Sequence, residues 1–244
     1  MHRLLVSTDM LLGDRAVLPH DAARHLKVVR PKPGENVELF DGAGRARLFT
    51  CGESAAEPLA AAAPIQEFPR PAFSLALFAC VTKGSRWDWT IEKATELGVT
   101  RIVPVISERC IVRIAPGDRA AKRDRWRRIA EDAARQSDAK WFPEIVAAVD
   151  FSDALALARE CVCFAGALTD PPSAPLLSAI VHRQPSAAGS FGLFVGPEGD
   201  FTPDELKALL EVAIPTSFGP TILRAETAAI FGVSVLVAAL AGEP

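Results

Sequence analysis

The spacing of hydrophobic residues along this 244-residue chain changes near residue 70. Before that point, apolar and polar side chains alternate in 36–40 and in 45–49, on either side of the turn sequence Asp41-Gly42-Ala43-Gly44. Alternation at period two around a glycine-containing turn predicts a β-hairpin. A short helix is predicted over 19–29. Residues 1–70 are therefore expected to form a small β-rich domain or barrel.

Beyond residue 70, continuous apolar runs alternate with stretches of helical periodicity. This alternation predicts an α/β fold in which helices cover both faces of a mostly parallel sheet. The sequence Thr202-Pro203-Asp204-Glu205 has the features of a capping box, so a helix is expected to begin there. Pro104 lies inside one predicted strand, although proline cannot donate a hydrogen bond to a sheet. The predicted strands are 73–81, 101–106, 144–149, 161–167, 191–195 and 213–218, and the main helices are 87–97, 118–136 and 228–240.

Two glycine-centred stretches near the C-terminus, 193–201 and 218–228, each follow an apolar run and precede a helical one. Ligands of α/β proteins bind where strands end and loops begin, so the two loops could wall one pocket. Neither has the glycine pattern of a P-loop or of a dinucleotide fingerprint. Glycines in such places are often only turns, and the charged residues before helix 228–240 could be caps or ion pairs. Both interpretations stay open on this pattern alone.

The composition is that of a globular protein, with 49% hydrophobic and 23% charged residues. A net charge of −3 excludes a nucleic-acid binder that is basic throughout, although not one with a local basic face. Neither a signal peptide nor an apolar stretch long enough to span a membrane is apparent. Five cysteines without a C-x-x-C pair and four histidines without H-x-x-x-H spacing predict reduced thiols, a cytoplasmic location and no metal site.

Several motifs in this order resemble one family. Gly196-Pro197-Glu198-Gly199 and Leu223-Arg224-Ala225-Glu226-Thr227-Ala228 are similar to the two central motifs of the RsmE-type 16S rRNA uracil-N3 methyltransferases, a branch of the SPOUT methyltransferases. The resemblance extends along nearly the whole chain. The other segments that carry it are His25–Arg30, Leu39–Gly42, Lys83-Gly84, Glu92–Val99, Pro104 and Ser107–Cys110.

The resemblance implies a fold, a cofactor and partners. Residues 1–70 would be a PUA-like β-barrel that binds RNA, and 71–244 a SPOUT methyltransferase domain with a C-terminal trefoil knot. S-adenosyl-L-methionine would be the methyl donor, held in the knot. The substrate would be 16S rRNA or the small ribosomal subunit, and the protein would act as a homodimer.

Arg224 and Glu226 are the candidate catalytic residues. Arg224 could stabilise negative charge on O2 and O4 of the deprotonated uracil or hold an RNA phosphate. It could instead form a salt bridge with Glu226 or Glu198, and the proton acceptor, Glu198 or Glu226, is not resolved. The resemblance implies a cofactor site formed by Leu168, Val195, Gly196, Pro197, Glu198, Gly199, Phe218, Gly219, Ile222, Leu223, Arg224, Glu226, Thr227 and Ala228. The candidate RNA-binding residues are Arg3, Arg24, Lys27, Arg30 and Lys83, and a second basic cluster lies at 122–128.

Four positions depart from the family pattern. Asp200 stands where a second glycine usually follows the first motif, and Thr221 stands where an arginine is frequent. Arg135 and Ala139 replace a usual glutamate and arginine. Two other functions therefore remain to be tested: ribose 2′-O methylation of another RNA, and a non-catalytic RNA-binding assembly module.

Overall fold

The computed structural model describes residues 2–54, 57–169, 171–183 and 189–241. The chain divides into two compact units. The first contains the chain up to Arg70 together with Glu131–Phe142, and the second contains Pro71–Ala130 and the chain from Pro143 onward. The assignment of an RNA-binding role to 1–70 and a methyltransferase role to 71–244 stays a prediction.

The first unit is built on a six-stranded sheet. Its strands follow the order β1-β3-β4-β5-β2, and β6 pairs with β4. The predicted hairpin is confirmed, since β3 and β4 are antiparallel with Asn36 opposite Thr50. The elements are β1 (His2–Leu5), α1 (Thr8–Leu12), β2 (Arg15–Ala16), α2 (His20–Val29), β3 (Asn36–Phe40), β4 (Arg45–Thr50), β5 (Leu59–Ala61) and β6 (Gln66–Glu67).

Backbone hydrogen bonds explain why Glu131–Phe142 belongs to the first unit. Gly44 N donates to Lys140 O at 2.9 Å, and Phe142 N donates to Gly42 O at 2.8 Å. A side chain at Gly44 would overlap with the ring of Trp141, so the hairpin turn accepts this segment only because glycine stands there. Gly44 also has φ +85°, which favours glycine by itself.

The second unit contains a seven-stranded sheet in the order β10-β8-β7-β12-β11-β13, with β9 also paired to β8. Each of these described strand pairs is parallel, which confirms the predicted α/β fold with a mostly parallel sheet. The strands are β7 (Ser74–Cys80), β8 (Arg101–Ile106), β9 (Glu144–Ile145), β10 (Val149–Asp150), β11 (Val162–Gly166), β12 (Ser190–Val195) and β13 (Ala213–Thr216).

Pro104 is tolerated inside β8 because of how its neighbours pair. On one side it lies opposite Ala79 of β7. On the other side, β9 pairs with Arg101 and Ile102, and β10 pairs with Val105 and Ile106. Pro104 therefore faces the gap between two short strands, where a missing N–H interrupts no ladder. The single strand predicted over 144–149 is instead two short strands, β9 and β10, which pair with β8 on either side of this gap.

Two helix ends of the second unit are set by residues that the sequence marks. Thr202 Oγ1 accepts from Glu205 N at 3.2 Å and Thr202 N donates to Glu205 Oε2 at 3.0 Å, so the predicted capping box is confirmed. Gly98, at φ +85°, ends the helix that follows β7. The helices are α3 (Ser85–Glu96), α5 (Phe151–Ala158), α6 (Leu176–Arg183), α7 (Pro203–Leu210) and α8 (Ala225–Leu240), with a 3₁₀ turn at Pro116–Asp118. Helix α4 (Arg119–Gln136) begins in the second unit, and its residues from Glu131 onward belong to the first.

The centre of the second unit positions the loops that matter for function. Phe78 of β7 and Phe194 of β12 stack with ring centroids 4.6 Å apart, and helix α8 packs against both strands. The strands β12, β11 and β13 are neighbours. Because parallel neighbours end at the same edge, the loops that follow these three strands lie together.

Candidate active site

A cavity of about 320 Å³ lies at the carboxyl edge of the sheet in the second unit. The ends of β11, β12 and β13, the loops that follow them and the first turns of α8 form its walls. This volume is within the range of small-molecule sites. The lining residues are Gly166, Ala167, Leu168, Val195, Gly196, Pro197, Glu198, Asp200, Thr216, Ser217, Phe218, Gly219, Thr221, Ile222, Leu223, Arg224, Ala225 and Ala228.

Both glycine-centred stretches contribute to this one cavity. Most of the residues predicted to bind the cofactor line it, namely Leu168, Val195, Gly196, Pro197, Glu198, Phe218, Gly219, Ile222, Leu223, Arg224 and Ala228. Gly199, Glu226 and Thr227 do not line it. Local motifs also do not reveal the wall supplied by Gly166, Ala167, Thr216 and Ser217, because it depends on β11 lying between β12 and β13.

The first loop, 196–200, is held in a tight turn. Asp200 N donates to Pro197 O at 2.9 Å, and Asp200 has the left-handed φ of +58°. The guanidinium of Arg109 holds the loop from outside, since its Nη1 donates to Gly199 O at 3.0 Å and to Phe201 O at 3.3 Å. Arg109 therefore acts on the shape of the cavity without lining it.

The second loop, 217–224, packs the ring of Phe218 against the end of β11. A side chain at Gly166 would overlap with Cε2 and Cζ of Phe218, so this contact requires glycine. The ring of Phe218 lies 5.7 Å from that of Phe231 on α8, measured between centroids. Gly219 has φ +117°, a conformation that other residues rarely adopt.

Arg86 near the start of α3 links the first loop to the first turn of α8. Its Nη1 lies 3.6 Å from Glu198 Oε1, and its Nε lies 3.7 Å from Glu226 Oε1. The Glu226 side chain is only 12% exposed. Its Oε2 is buried and has no hydrogen-bond partner among the described residues. An arginine between these carboxylates compensates charge that would otherwise be costly to bury.

This arrangement bears on the salt bridge considered for Arg224. The two carboxylates considered for it, Glu198 and Glu226, are paired with Arg86 instead. Arg224 is exposed, lines the cavity, and has no ion pair within the described part of the chain. Its guanidinium is therefore available to a substrate. Arg86 was not recognised in the sequence, because it lies more than one hundred residues from both carboxylates.

We expect Arg86→Met to weaken both the fold and the cavity. The change leaves the mostly buried Glu226 without its cation, and it frees the first loop from α8. The free energy of unfolding should fall by about 1 kcal/mol, because Arg86 is itself nearly half exposed. Denaturant unfolding measures this change.

A double-mutant cycle with Glu226→Gln supplies the control for Arg86→Met. If the ion pair carries the effect, the loss caused by Arg86→Met becomes smaller once Glu226 is neutral. Simple additivity of the two changes would assign no coupling to this pair.

Two thiols lie beside Ser107 and outside the cavity. The Sγ atoms of Cys80 and Cys110 are 3.4 and 3.3 Å from Ser107 Oγ. A hydrogen bond from Cys80, together with bonds from Ser107, lowers the pKa of Cys110 to about 6, whereas the pKa of Cys80 is raised by Cys110 and by burial. Both side chains are buried, and neither lines the cavity. They are therefore not candidates for acting on a substrate there.

The predicted RNA-binding residues fall into two groups. Arg24, Lys27 and Arg30 are exposed along α2 and its C-cap, and Lys83 is exposed before α3. Arg3 is different, because its side chain is only 8% exposed and pairs with Glu38 at 2.6 Å. It also donates to the carbonyls of Ala134, Arg135 and Ala139, and it lies over the ring of Phe40.

The burial of Arg3 is at odds with a role in contacting RNA. Its hydrogen bonds tie β1 to the segment 131–142 inside the first unit. An Arg3 side chain that moved to a phosphate would leave Glu38, itself 7% exposed at the side chain, with only Lys140 as a cation. We therefore assign Arg3 a structural role and leave it out of the proposed RNA surface.

The second basic cluster, on α4, is partly neutralised. Arg123 pairs with Asp124, and Arg125 pairs with Asp88. Lys122 and Arg128 are exposed. Such pairing is typical of a solvated helix face and gives no specific support for RNA contact.

No cluster of three His, Cys, Asp or Glu side chains suited to a metal ion occurs within the described residues. Over the same residues, helices are too short or too polar to cross a membrane. All five cysteines are free thiols.

Comparison with known proteins identifies the family. The family model of the RNA methyltransferase domain matches residues 69–237. A ribosomal RNA small subunit methyltransferase E from Mycobacterium bovis is 33% identical over 227 residues, which cover 89% of this chain and 84% of the relative. The chain belongs to the ribosomal RNA small subunit methyltransferase E family. The resemblance found in the motifs is confirmed.

Other members of the family agree over nearly the whole chain. The methyltransferase E of Synechocystis is 29% identical over 232 residues, or 93% of this chain and 74% of the relative. The crystal structure of methyltransferase E from Neisseria gonorrhoeae, bound to S-adenosyl methionine, superposes with a TM-score of 0.83 at 30% identity. It covers 97% of this chain and 96% of that one.

Proposed function

We propose that the protein transfers the methyl group of S-adenosyl-L-methionine to N3 of a uracil in 16S rRNA of the small ribosomal subunit. Membership of the methyltransferase E family supports this function, as does the S-adenosyl methionine bound to the relative from Neisseria gonorrhoeae. The observation that carries it is one cavity built from both glycine-centred motifs, with Arg224 on its wall and in no ion pair with a described residue.

The cavity suits the proposed cofactor. Its volume of about 320 Å³ is within the range of small-molecule sites, and its lining includes apolar residues such as Leu168 and Leu223. Peptide groups of 196–200 and 217–224 would hold the cofactor's polar atoms. When bound, S-adenosyl-L-methionine supplies a methyl group already activated by a sulfonium, so no protein nucleophile is needed. The protein's contribution is to position the base and stabilise charge.

Arg224 is proposed to make uracil N3 reactive. N3 carries a proton, and its loss places negative charge on O2 and O4 of the ring. A guanidinium beside those oxygens stabilises the deprotonated base. Because the carboxylates of Glu198 and Glu226 are paired with Arg86, Arg224 keeps its charge for the substrate.

Of the two carboxylates considered as proton acceptor, Glu198 is the one on the cavity wall. Glu226, the second residue of α8, does not line the cavity and is paired with Arg86. We therefore propose Glu198 as the acceptor and give Glu226, first considered as catalytic, a positioning role.

The architectural details implied by the family are also proposals. The six-stranded sheet of the first unit supports a PUA-like RNA-binding barrel, with Arg24, Lys27 and Arg30 on its α2 helix. For a trefoil knot, the support is the path of the chain after β13. There Ser217 N donates to Ala174 O at 2.9 Å, and Leu176 N donates to Ser217 O at 3.1 Å, before α8 returns to the sheet.

We propose further that the protein acts as a homodimer. Leu177 and Val181 of α6 and Phe231 of α8 are exposed apolar side chains on two helices that pack together. Ile222, at the cavity, is also apolar and is 83% exposed. A second copy of the chain would cover these side chains. Sedimentation equilibrium tests the proposal, and a monomer at micromolar concentration would reject it.

Nucleoside mass spectrometry tests the proposed reaction directly. Small ribosomal subunits from a strain that lacks this protein are incubated with the purified protein and methyl-labelled S-adenosyl-L-methionine. The expected product is N3-methyluridine in 16S rRNA. A labelled 2′-O-methylnucleoside would instead favour the ribose alternative. Binding of RNA without any labelled product or saturable cofactor binding would favour an assembly module.

A further inference from the structure

We infer that Asp200 makes the cavity discriminate between the cofactor and its demethylated product by charge. The inference rests on the proposed function. Transfer moves a methyl group from the sulfonium to uracil N3, and the N3 proton goes to an acceptor. The sulfonium, with one positive charge, becomes an uncharged thioether. A negative charge on the cavity wall therefore favours the cofactor over the product.

The position of Asp200 places its carboxylate at that wall. The residue lines the cavity and is half-buried. Its Oδ1 accepts from Phe201 N at 2.8 Å, and it lies so close above Gly196 that a side chain there would approach Oδ1 to 3.3 Å. Gly196 also lines the cavity. The carboxylate is thus fixed against the loop that forms one side of the site.

The charge of Asp200 is not compensated. Among the described residues it takes part in no ion pair, whereas Glu198, the other carboxylate of the wall, is paired with Arg86 at 3.6 Å. Arg224 is the cation of the wall, and it is exposed to solvent. In a partly enclosed cavity, charges within several ångströms of each other interact more strongly than in open water.

The backbone at Asp200 gives a second indication of its role. A non-glycine residue at φ +58° is strained, although aspartate and asparagine tolerate this region better than most residues. Glycine would relieve the strain. An aspartate at this position, despite the conformational cost, is explained if its carboxylate serves the cavity.

The test compares two ligands on three variants. Isothermal titration calorimetry gives the dissociation constants of S-adenosyl-L-methionine and S-adenosyl-L-homocysteine for the wild type, Asp200→Asn and Asp200→Gly. Asparagine keeps the shape, the left-handed backbone and the acceptor for Phe201 N, and it removes only the charge. The preference for the sulfonium ligand should fall by about three- to tenfold in both variants.

A control on α7, the helix that follows the first loop, separates local charge from net charge. Asp204→Asn removes an exposed carboxylate of α7 that does not line the cavity, so it should leave the preference unchanged. High salt should reduce the preference of the wild type and leave that of Asp200→Asn nearly constant.

The outcomes distinguish this inference from the proposed function. An unchanged preference in Asp200→Asn, with both ligands still bound, overturns the role of Asp200 and leaves the methyltransferase assignment intact. A purely structural role would weaken both ligands equally in Asp200→Gly, and this result also rejects the inference. Failure of the wild type to bind either ligand would contradict the proposed function, and the inference with it.

Discussion

Arg224→Ala is expected to reduce methyl transfer to uracil by at least about 100-fold. The loss of a preorganised donor beside a developing negative charge has effects of this order. The fold should tolerate the change, because Arg224 is exposed and has no ion pair in the described part of the chain. Single-turnover incorporation of labelled methyl groups into small ribosomal subunits measures the effect, with thermal unfolding as the check on folding.

The kinetic signature separates the two roles that the sequence leaves open for Arg224. If its guanidinium stabilises charge on the base, kcat falls and KM for RNA changes little. If it holds an RNA phosphate, KM rises with kcat nearly unchanged. Arg224→Lys keeps the positive charge but loses the planar guanidinium, which can donate two parallel hydrogen bonds, so it should retain part of the activity. Turnover like that of the wild type in Arg224→Ala would remove this residue from the mechanism.

The features of the fold that could be predicted are those that depend on residues close together in the sequence. The Thr202–Glu205 capping box and the Gly98 helix end are set by neighbouring residues, and both are confirmed. The β3–β4 hairpin follows from alternation and a turn of two glycines. In each case the physical cause lies within about ten residues, so that one short segment contains it.

The parts of the site that could not be predicted depend on neighbours distant in sequence. Arg86 meets Glu198 and Glu226 only because α3, the first loop and α8 converge. The same holds for Arg3, an apparent RNA ligand by charge alone, whose partners at 134–139 become neighbours only in the folded first unit. A basic residue in a sequence shows its charge and not whether a carboxylate already neutralises it.

Gly166 illustrates how such a distant contact shapes the cavity. It ends β11, between Val195 of β12 and Thr216 of β13. It also lines the cavity, although no sequence motif predicts that it does. Its missing side chain makes room for the ring of Phe218. Phe218 in turn lines the cavity from the second loop. The width of the cavity is thus set by a glycine more than fifty residues before the ring that it accommodates.

Gly166→Ala is therefore expected to weaken cofactor binding by at least about tenfold. The added methyl group would overlap with the Phe218 ring, which must turn into the cavity or move away from β11. Overpacking of this kind costs about 1–3 kcal/mol of stability. Calorimetry with S-adenosyl-L-methionine and denaturant unfolding measure the two effects. Gly117→Ala is the matched control, since nothing lies within 4 Å of a side chain there.

A compensating change distinguishes overlap with the ring from a general effect on β11. In the double variant Gly166→Ala with Phe218→Leu, the smaller side chain leaves room for the added methyl group. Stability should recover in part, although the affinity for the cofactor should not return fully, because Phe218 itself forms part of the wall. If the double variant is instead less stable than either single change, the cost lies in the backbone of β11, and the ring is not what requires glycine at this position.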